Sequence, residues 1–171
     1  MAIGSPEDIK RLSAGDLLLI AFDLEGTLID GELFPELGRR LGYRDELDTL
    51  TREAMRGDHP FEEALRKRID LIRGKSLSLI KSVADSLPFT PGAEETLRFL
   101  RGMGATPAII SGGFDVLAAR AATQLGIERV YSNHLRVECG RVSGVKPPIL
   151  DPRAKVDIIR RMAREVGVPL G

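Results

Sequence analysis

The most constraining feature of the sequence is the segment LLLIAFDLEGTLID at residues 17–30. Six consecutive apolar residues, 17–22, lead directly into Asp23, and a second acid, Glu25, follows two positions later. A continuous apolar run of this kind is typical of a strand buried on both faces of a parallel sheet. Ligands bind beyond the carboxyl ends of such strands, and Gly26 allows the chain to turn sharply there. The segment predicts either a reactive pair of carboxylates in a crevice or an ordinary solvated turn.

The pattern of the remaining chain divides it into a helical block and an alternating block. Four short helices are predicted in the first, at 34–42, 46–57, 61–74 and 77–87. The alternating block begins with a predicted helix that Thr90 caps, with Pro91 in its first turn and an end near 102 or 104. A strand at 106–110, a helix at 114–125 and a strand at 129–131 are predicted next. A hairpin within 135–144, turning at Cys139-Gly140, and a helix capped by Asp151 that ends near 166 complete the block.

Alternation of strands and helices favours an α/β fold with a right-handed parallel sheet. Since the helical block interrupts this alternation after the first strand, we predict a core formed by residues 1–30 and 89–171. Residues 31–88 are predicted to form an inserted helical cap.

The composition excludes several functional classes. Lys and Arg together number 25, as do Asp and Glu, so no overall field favours nucleic acid or an anionic membrane surface. No apolar run approaches the roughly 20 residues of a membrane-spanning helix, and the N-terminal segment lacks the apolar region of a signal peptide. A lone cysteine, Cys139, suits a reducing compartment. We therefore expect a cytoplasmic protein that binds neither nucleic acid nor membranes.

Two further segments carry candidate functional groups. Ser111-Gly112-Gly113 follows the second predicted strand, where a hydroxyl and unhindered backbone N–H groups at a helix N-terminus can hold a phosphate, although the same tripeptide is a common turn. Lys155 lies in the first turn of the last predicted helix, where the helix dipole disfavours a cation. Neutralising a phosphate and fixing Asp23 would explain that position, and simple exposure to solvent is the alternative.

In this order, the segments DLEGTLIDGE, SGGFD and VSG followed by PRAK resemble motifs one to three of the haloacid dehalogenase (HAD) superfamily of phosphatases. With EAMRGDHPFEEALRKR and TPGAEETLRFL, the resemblance extends from about residue 17 to 171 and is closest to the phosphoserine phosphatase branch. It implies a Rossmann-like HAD core with a parallel sheet and an inserted helical cap. It also implies Mg²⁺-dependent hydrolysis of a small phosphorylated amino acid through an aspartyl-phosphate.

The resemblance also implies roles for individual residues. Asp23 would be the nucleophile and Glu25 the acid/base, with Mg²⁺ held by the Asp23 carboxylate and the backbone carbonyl of Glu25. The expected phosphate-binding residues are Ser111, Gly112 and Lys155. The cap would read the substrate through Glu32 for its ammonium group, Arg68 for its carboxylate, and Met55 and Phe61 for its apolar walls.

Two departures from the family pattern keep alternatives open. The second acid of motif one is usually Asp, and Glu25 is also typical of related enzymes that transfer the phosphoryl group to another alcohol. A fourth motif, with a strand and a metal-binding carboxylate, is expected directly after VGVPLG, where the sequence stops at Gly171. The last core strands would then be absent, and the first strand would form an open sheet edge.

We expect that either the native chain continues or a second copy or swapped segment covers this edge. Residues 1–171 alone would bind Mg²⁺ weakly and turn over little. A phosphatase acting on another small metabolite, and a non-catalytic phosphate-binding protein, remain alternative functions.

Overall fold

A computed structural model describes residues 18–56 and 60–167 of the chain. Four strands form one sheet in the order β1-β2-β3-β4, with β1 (Leu18–Phe22), β2 (Ala105–Phe114), β3 (Arg129–Glu138) and β4 (Arg141–Lys146). The helices are α1 (Leu33–Leu41), α2 (Arg44–Arg56), α3 (Phe61–Ile72), α4 (Leu77–Ser86), α5 (Ala93–Gly102), α6 (Asp115–Leu125) and α7 (Pro152–Val166). β1, β2 and β3 are parallel and β4 runs antiparallel to β3, so the predicted α/β class is confirmed.

The helical block packs onto the sheet through a shared apolar cluster. That cluster contains Leu65 of α3, Leu24 after β1, Phe114 at the end of β2 and Leu117 of α6. Burial of these side chains provides the main driving force that holds the helices against the sheet. A smaller cluster, with Ala108, Ile110, Leu150 and Met162, lies where α7 packs against β2.

Most predicted elements are present, but two strands are longer than expected. β2 extends to Phe114 and so includes Ser111-Gly112-Gly113, which the sequence analysis placed after the strand, either at a helix N-terminus or in an ordinary turn. β3 joins the predicted strand at 129–131 to the first arm of the hairpin, because one half pairs with β2 and the other with β4. The predicted turn at Cys139-Gly140 is confirmed, with φ of 48° and 73°.

The start of α5 was predicted wrongly. Thr90 does not cap the helix: Pro91 and Gly92 form a turn closed by a 3.0 Å hydrogen bond from the Ala93 N–H to the Thr90 carbonyl. Gly92 is the N-cap, with a φ of 83° that residues with a Cβ adopt rarely, so the helix begins only at Ala93.

The prediction that the first strand is buried on both faces was also wrong. Leu19, Ile20 and Phe22 are half-buried and Ala21 is exposed, whereas Leu17 lies outside the described residues. Within residues 18–56 and 60–167, β1 pairs only with β2, so it forms one edge of the sheet and is covered less than an interior strand. No helix in these ranges is long and apolar enough to cross a membrane.

Candidate active site

Asp23 and Lys155 form the centre of the site. Asp23 follows directly after β1, and its Oδ1 accepts a 2.8 Å hydrogen bond from the Leu24 N–H. The Lys155 Nζ donates to Asp23 Oδ2 at 2.7 Å across 132 residues of sequence. The Asp23 side chain remains 49% exposed and that of Lys155 27% exposed, so the pair lies at a surface that a small ligand can reach.

Lys155 owes its position to the way α7 begins. Asp151 caps the helix by accepting a 2.7 Å hydrogen bond from the Ala154 N–H, and Pro152 occupies the first turn, where its missing N–H costs nothing. The lysine then follows in the same turn. The structure thus brings together two residues that the sequence analysis selected from distant segments.

The Glu25 side chain points back into the protein rather than into solvent. Its Oε1 accepts a 2.6 Å hydrogen bond from the N–H of Leu33, the first residue of α1. Its Oε2 lies against Gly113, where a Cβ would come within 2.3 Å of it. Glu25 is therefore held between the start of the helical block and the end of β2.

Burial raises the pKa of Glu25 above its ordinary value. The hydrogen bond from Leu33 opposes this rise because it stabilises the carboxylate, and the negative charge of Glu32 adds to it. The nearby Arg68 cation lowers the pKa, and Asp23 raises it. The dominant effect of burial favours the protonated form, which a proton donor requires.

Ser111-Gly112-Gly113 forms a bulge in β2. The pairing of β2 with β3 passes from Ile110↔Tyr131 directly to Phe114↔Asn133, so four steps along β2 match two along β3. The extra residues bend out of the ladder, and the Gly113 N–H donates a 3.0 Å hydrogen bond to Ser111 Oγ. Only 2% of Ser111 is exposed. The helix after the bulge begins at Asp115, so the predicted cradle belongs to the end of a strand.

The sequence analysis did not select Asn133 as a site residue. It lies in β3, is 1% exposed, and hydrogen-bonds both to the bulge and to the segment before α7. Asn133 lies between the predicted strand at 129–131 and the predicted hairpin at 135–144, and no local pattern there marks it as a site residue.

Arg68 is held in place by an aromatic side chain. Its guanidinium lies 4.9 Å from the ring centroid of Phe34, and its Nε donates a 3.3 Å hydrogen bond to the Ala64 carbonyl. Phe34 in turn makes an edge-to-face contact with Phe114, with ring centroids 5.7 Å apart. Burial lowers the pKa of Arg68, and the charges of Glu25 and Glu32 oppose that effect.

The other predicted cap residues occupy different positions. Phe61 is half-buried and lies beside the bulge, since a Cβ on Gly112 would approach its Cζ to 3.1 Å. Glu32 is exposed at the N-cap of α1, where its side chain makes no capping hydrogen bond. The Met55 side chain lies outside the part of the chain that the structure describes.

Glu32 also borders a polar cleft of about 470 Å³ on the outer side of α1. Three arginines, Arg39, Arg40 and Arg44, line this cleft, and each pairs with an acid of the same block. Neither Asp23 nor Lys155 lines this cleft, so it is separate from the candidate active site.

The donor set offers oxygen ligands for a small divalent cation. Asp23 supplies an accessible carboxylate and Glu25 a backbone carbonyl nearby in sequence. No group of three or more His, Cys, Asp or Glu side chains suited to a metal occurs within 18–56 and 60–167. Mg²⁺ is commonly held by one or two carboxylates, with waters and substrate phosphates completing the shell. The residues present therefore fit Mg²⁺ better than a metal that needs a full protein cage.

Residues 17–168 match the family model of the haloacid dehalogenase-like hydrolases. The chain is 36% identical over 151 residues to a phosphoserine phosphatase of Archaeoglobus fulgidus, covering 88% of this chain and 44% of the relative. It is 34% identical over 153 residues to a phosphoserine phosphatase of Methanocaldococcus jannaschii, covering 89% and 72%. The chain thus spans only part of each relative's length.

Solved structures give the same result for the fold. A phospho-aspartyl intermediate analogue of phosphoserine phosphatase superposes with a TM-score of 0.84 at 34% identity, covering 90% of this chain and 74% of the other. A substrate-bound phosphoserine phosphatase complex superposes with a TM-score of 0.85 at 32% identity, covering 91% and 74%.

Proposed function

Because the chain belongs to the haloacid dehalogenase-like hydrolases, we propose that it hydrolyses a small phosphomonoester, O-phosphoserine, through an aspartyl-phosphate. The observation that carries this proposal is the contact of Lys155 with Asp23 directly after β1, whose paired neighbour β2 carries the buried Ser111 near its end. One nucleophilic oxygen, one cation and one hydroxyl donor are the groups that a phosphoryl transfer needs. The names of the two similar archaeal phosphatases support phosphoserine as the substrate.

In the first step, a carboxylate oxygen of Asp23 attacks phosphorus, and the bond from phosphorus to the serine oxygen breaks. Glu25 gives its proton to the departing alkoxide, which leaves as the serine hydroxyl. Lys155 and Ser111 hold the phosphoryl oxygens as negative charge redistributes among them. The raised pKa of Glu25 supports its role as the donor.

In the second step, the Glu25 carboxylate takes a proton from water, and the water oxygen attacks phosphorus. The bond from phosphorus to Asp23 breaks, so inorganic phosphate leaves and the Asp23 carboxylate is regenerated. Glu25 ends the cycle protonated. A Mg²⁺ ion bound to the Asp23 carboxylate and the Glu25 carbonyl would supply charge neutralisation for the phosphoryl group.

We propose that the helical block at 31–88 is a cap and that it recognises the substrate. Arg68 would bind the substrate carboxylate through its planar guanidinium, and Glu32 its ammonium group. The contact of Arg68 with Phe34 supports this role, because it fixes the guanidinium near Glu25. Phe61 beside the bulge, and Met55, would form the apolar walls.

The Glu in place of the usual Asp supports a second candidate, transfer of the phosphoryl group to another alcohol. Glu25 reaches as far as the Leu33 N–H, so its carboxyl position differs from that of a shorter acid. Adding small alcohols during turnover tests this alternative. New phosphate esters would indicate transfer, and inorganic phosphate alone would indicate hydrolysis.

The edge position of β1 supports a proposal about assembly. Within the described sheet, one hydrogen-bonding edge of β1 has no neighbouring strand, and the strand carries no charged residue or proline that would block the addition of one. We propose that a further strand of the same polypeptide or a second copy covers this edge in the working protein.

The substrate assignment is tested by comparing phosphoserine with phosphoethanolamine, which lacks the carboxylate. We expect kcat/KM of the intact protein to be about tenfold or more higher on phosphoserine than on phosphoethanolamine, because phosphoethanolamine cannot make the charged contact with Arg68. Equal values for the two esters would refute an amino-acid substrate while leaving the phosphatase chemistry in place.

A further inference from the structure

Asn133 uses its whole amide group to hold two backbone segments. Its Nδ2 donates to the Gly112 carbonyl at 2.8 Å and to the Leu150 carbonyl at 3.3 Å. Its Oδ1 accepts from the Leu150 N–H at 2.7 Å. Asn133 and Ser111 are the two polar residues of the described ranges that are almost completely buried, with 1% and 2% of their surface exposed. A buried amide with this many contacts has one orientation that satisfies all of them.

The contact with Gly112 fixes the plane of the peptide that follows. The peptide between Gly112 and Gly113 is trans, so its C=O and N–H point in opposite directions. Since Asn133 holds the carbonyl, the Gly113 N–H is directed away from Asn133 and towards Ser111 Oγ, 3.0 Å away. A hydroxyl that accepts from Gly113 still has its own proton to donate to a phosphate oxygen.

The contacts with Leu150 fix the approach to α7. Leu150 immediately precedes Asp151, the residue that caps the helix through the Ala154 N–H. Lys155 follows in the first turn and reaches Asp23. The same amide therefore sets the bulge that carries Ser111 and the start of the helix that carries Lys155.

We infer that Asn133 is a positioning residue that aligns these two phosphate-binding elements with each other. This inference rests on the proposed function, since it assigns to Ser111 and Lys155 a common phosphate ligand. Its consequence is that affinity for inorganic phosphate depends on the orientation of the Asn133 amide, beyond any effect of Asn133 on folding.

The test is Asn133→Asp, which keeps the size of the side chain and replaces its donor by an oxygen. That oxygen would face the Gly112 and Leu150 carbonyls, so the peptide plane and the α7 approach must change. We expect affinity for inorganic phosphate, measured by calorimetry well below the unfolding temperature, to fall about tenfold or more. Asn133→Ser, which is neutral and smaller, should weaken binding in the same direction.

Two control variants on the same strand separate positioning from stability. Ser132→Ala changes the neighbouring half-buried side chain and should leave phosphate affinity unchanged. Leu135→Ala opens a cavity at a buried position and should lower the unfolding temperature, yet its folded form should bind phosphate as the wild type does. Equal weakening in Leu135→Ala and the Asn133 variants would overturn the inference, as would wild-type affinity in folded Asn133→Asp.

An NMR titration of the wild-type protein with inorganic phosphate tests the same inference without a substitution. Addition of inorganic phosphate should shift the NMR resonances of the Asn133 side-chain amide together with those of the Gly113 and Lys155 backbone amides. Unchanged Asn133 resonances at phosphate saturation would overturn the inference. Failure of the wild type to hydrolyse any phosphomonoester would instead refute the proposed function, so the two failures are distinguishable.

Discussion

Gly113→Ala tests whether the carboxyl group of Glu25 must lie where the structure places it. A Cβ at this position would stand 2.3 Å from Glu25 Oε2, whereas ordinary contact begins at about 3.4 Å. The carboxyl group must therefore move by roughly 1 Å, and a displacement of that size can lower a rate about a hundredfold, or ~2.7 kcal/mol of barrier. The new methyl group would also come within 3.2 Å of Ser111 Oγ.

Stability should change much less than the rate. The atom that must move is the end of a flexible side chain, and Gly113 does not have the positive φ that penalises alanine. Fewer unfolded conformations for alanine offset part of the strain, so we expect a change in unfolding free energy within about 1 kcal/mol. Gly144→Ala is the matched control, because its Cβ would meet nothing within 4 Å and it also lies in a strand.

The assay compares kcat/KM on phosphoserine and on p-nitrophenyl phosphate. Phosphoserine needs a proton from Glu25 to release its alkoxide, whereas p-nitrophenolate leaves without one. Loss of the base role slows hydrolysis of the aspartyl-phosphate and would lower kcat for both substrates without lowering kcat/KM. Loss of the acid role would lower kcat/KM for phosphoserine only. We expect the larger fall on phosphoserine. A Gly113→Ala protein as active as Gly144→Ala on both substrates would refute the assigned position of Glu25.

Three further predictions follow from the same geometry. Glu25→Gln keeps an acceptor for the Leu33 N–H but cannot exchange a proton, so kcat/KM on phosphoserine should fall more than kcat/KM on p-nitrophenyl phosphate; equal losses in kcat/KM would point to a structural role. Arg68→Lys should raise the KM for phosphoserine about tenfold and leave that for p-nitrophenyl phosphate nearly unchanged, because lysine cannot form the two-pronged contact with a carboxylate; a parallel rise in both KM values would contradict this. Residues 1–171 should associate through β1, which pairs only with β2 among the described residues, and a monodisperse monomer in light scattering would contradict this expectation.

The sequence could predict the elements whose signals are local. The helical spacing in 61–72 covers about three turns and the Asp151-Pro152 cap a single turn, and both elements are present. The pairing of Asp23 with Lys155 was also predictable as a hypothesis, because strand ends and helix starts meet at one edge of a parallel sheet. Its support came from the resemblance, since a first-turn lysine alone more often reaches only solvent.

What the sequence could not predict depends on tertiary contacts. The bulge at Ser111–Gly113 exists because pairing with β3 resumes only at Phe114, and nothing in the tripeptide itself specifies that register. The orientation of Glu25 depends on the Leu33 N–H and on the space beside Gly113. Asn133 was missed because its contacts join residues 17 and 21 positions away, which no local pattern records.

The central claim is that the phosphoryl group is bound covalently to Asp23 during turnover. Borohydride reduces an acyl phosphate to an alcohol, so trapping the intact protein during turnover of phosphoserine, followed by peptide mass spectrometry, identifies the residue that carried the group. We predict homoserine in place of Asp23 in the substrate-treated wild type, and none in Asp23→Asn or in protein without substrate. Active wild-type protein with unmodified Asp23, or an Asp23→Asn protein that still turns over, would contradict the account.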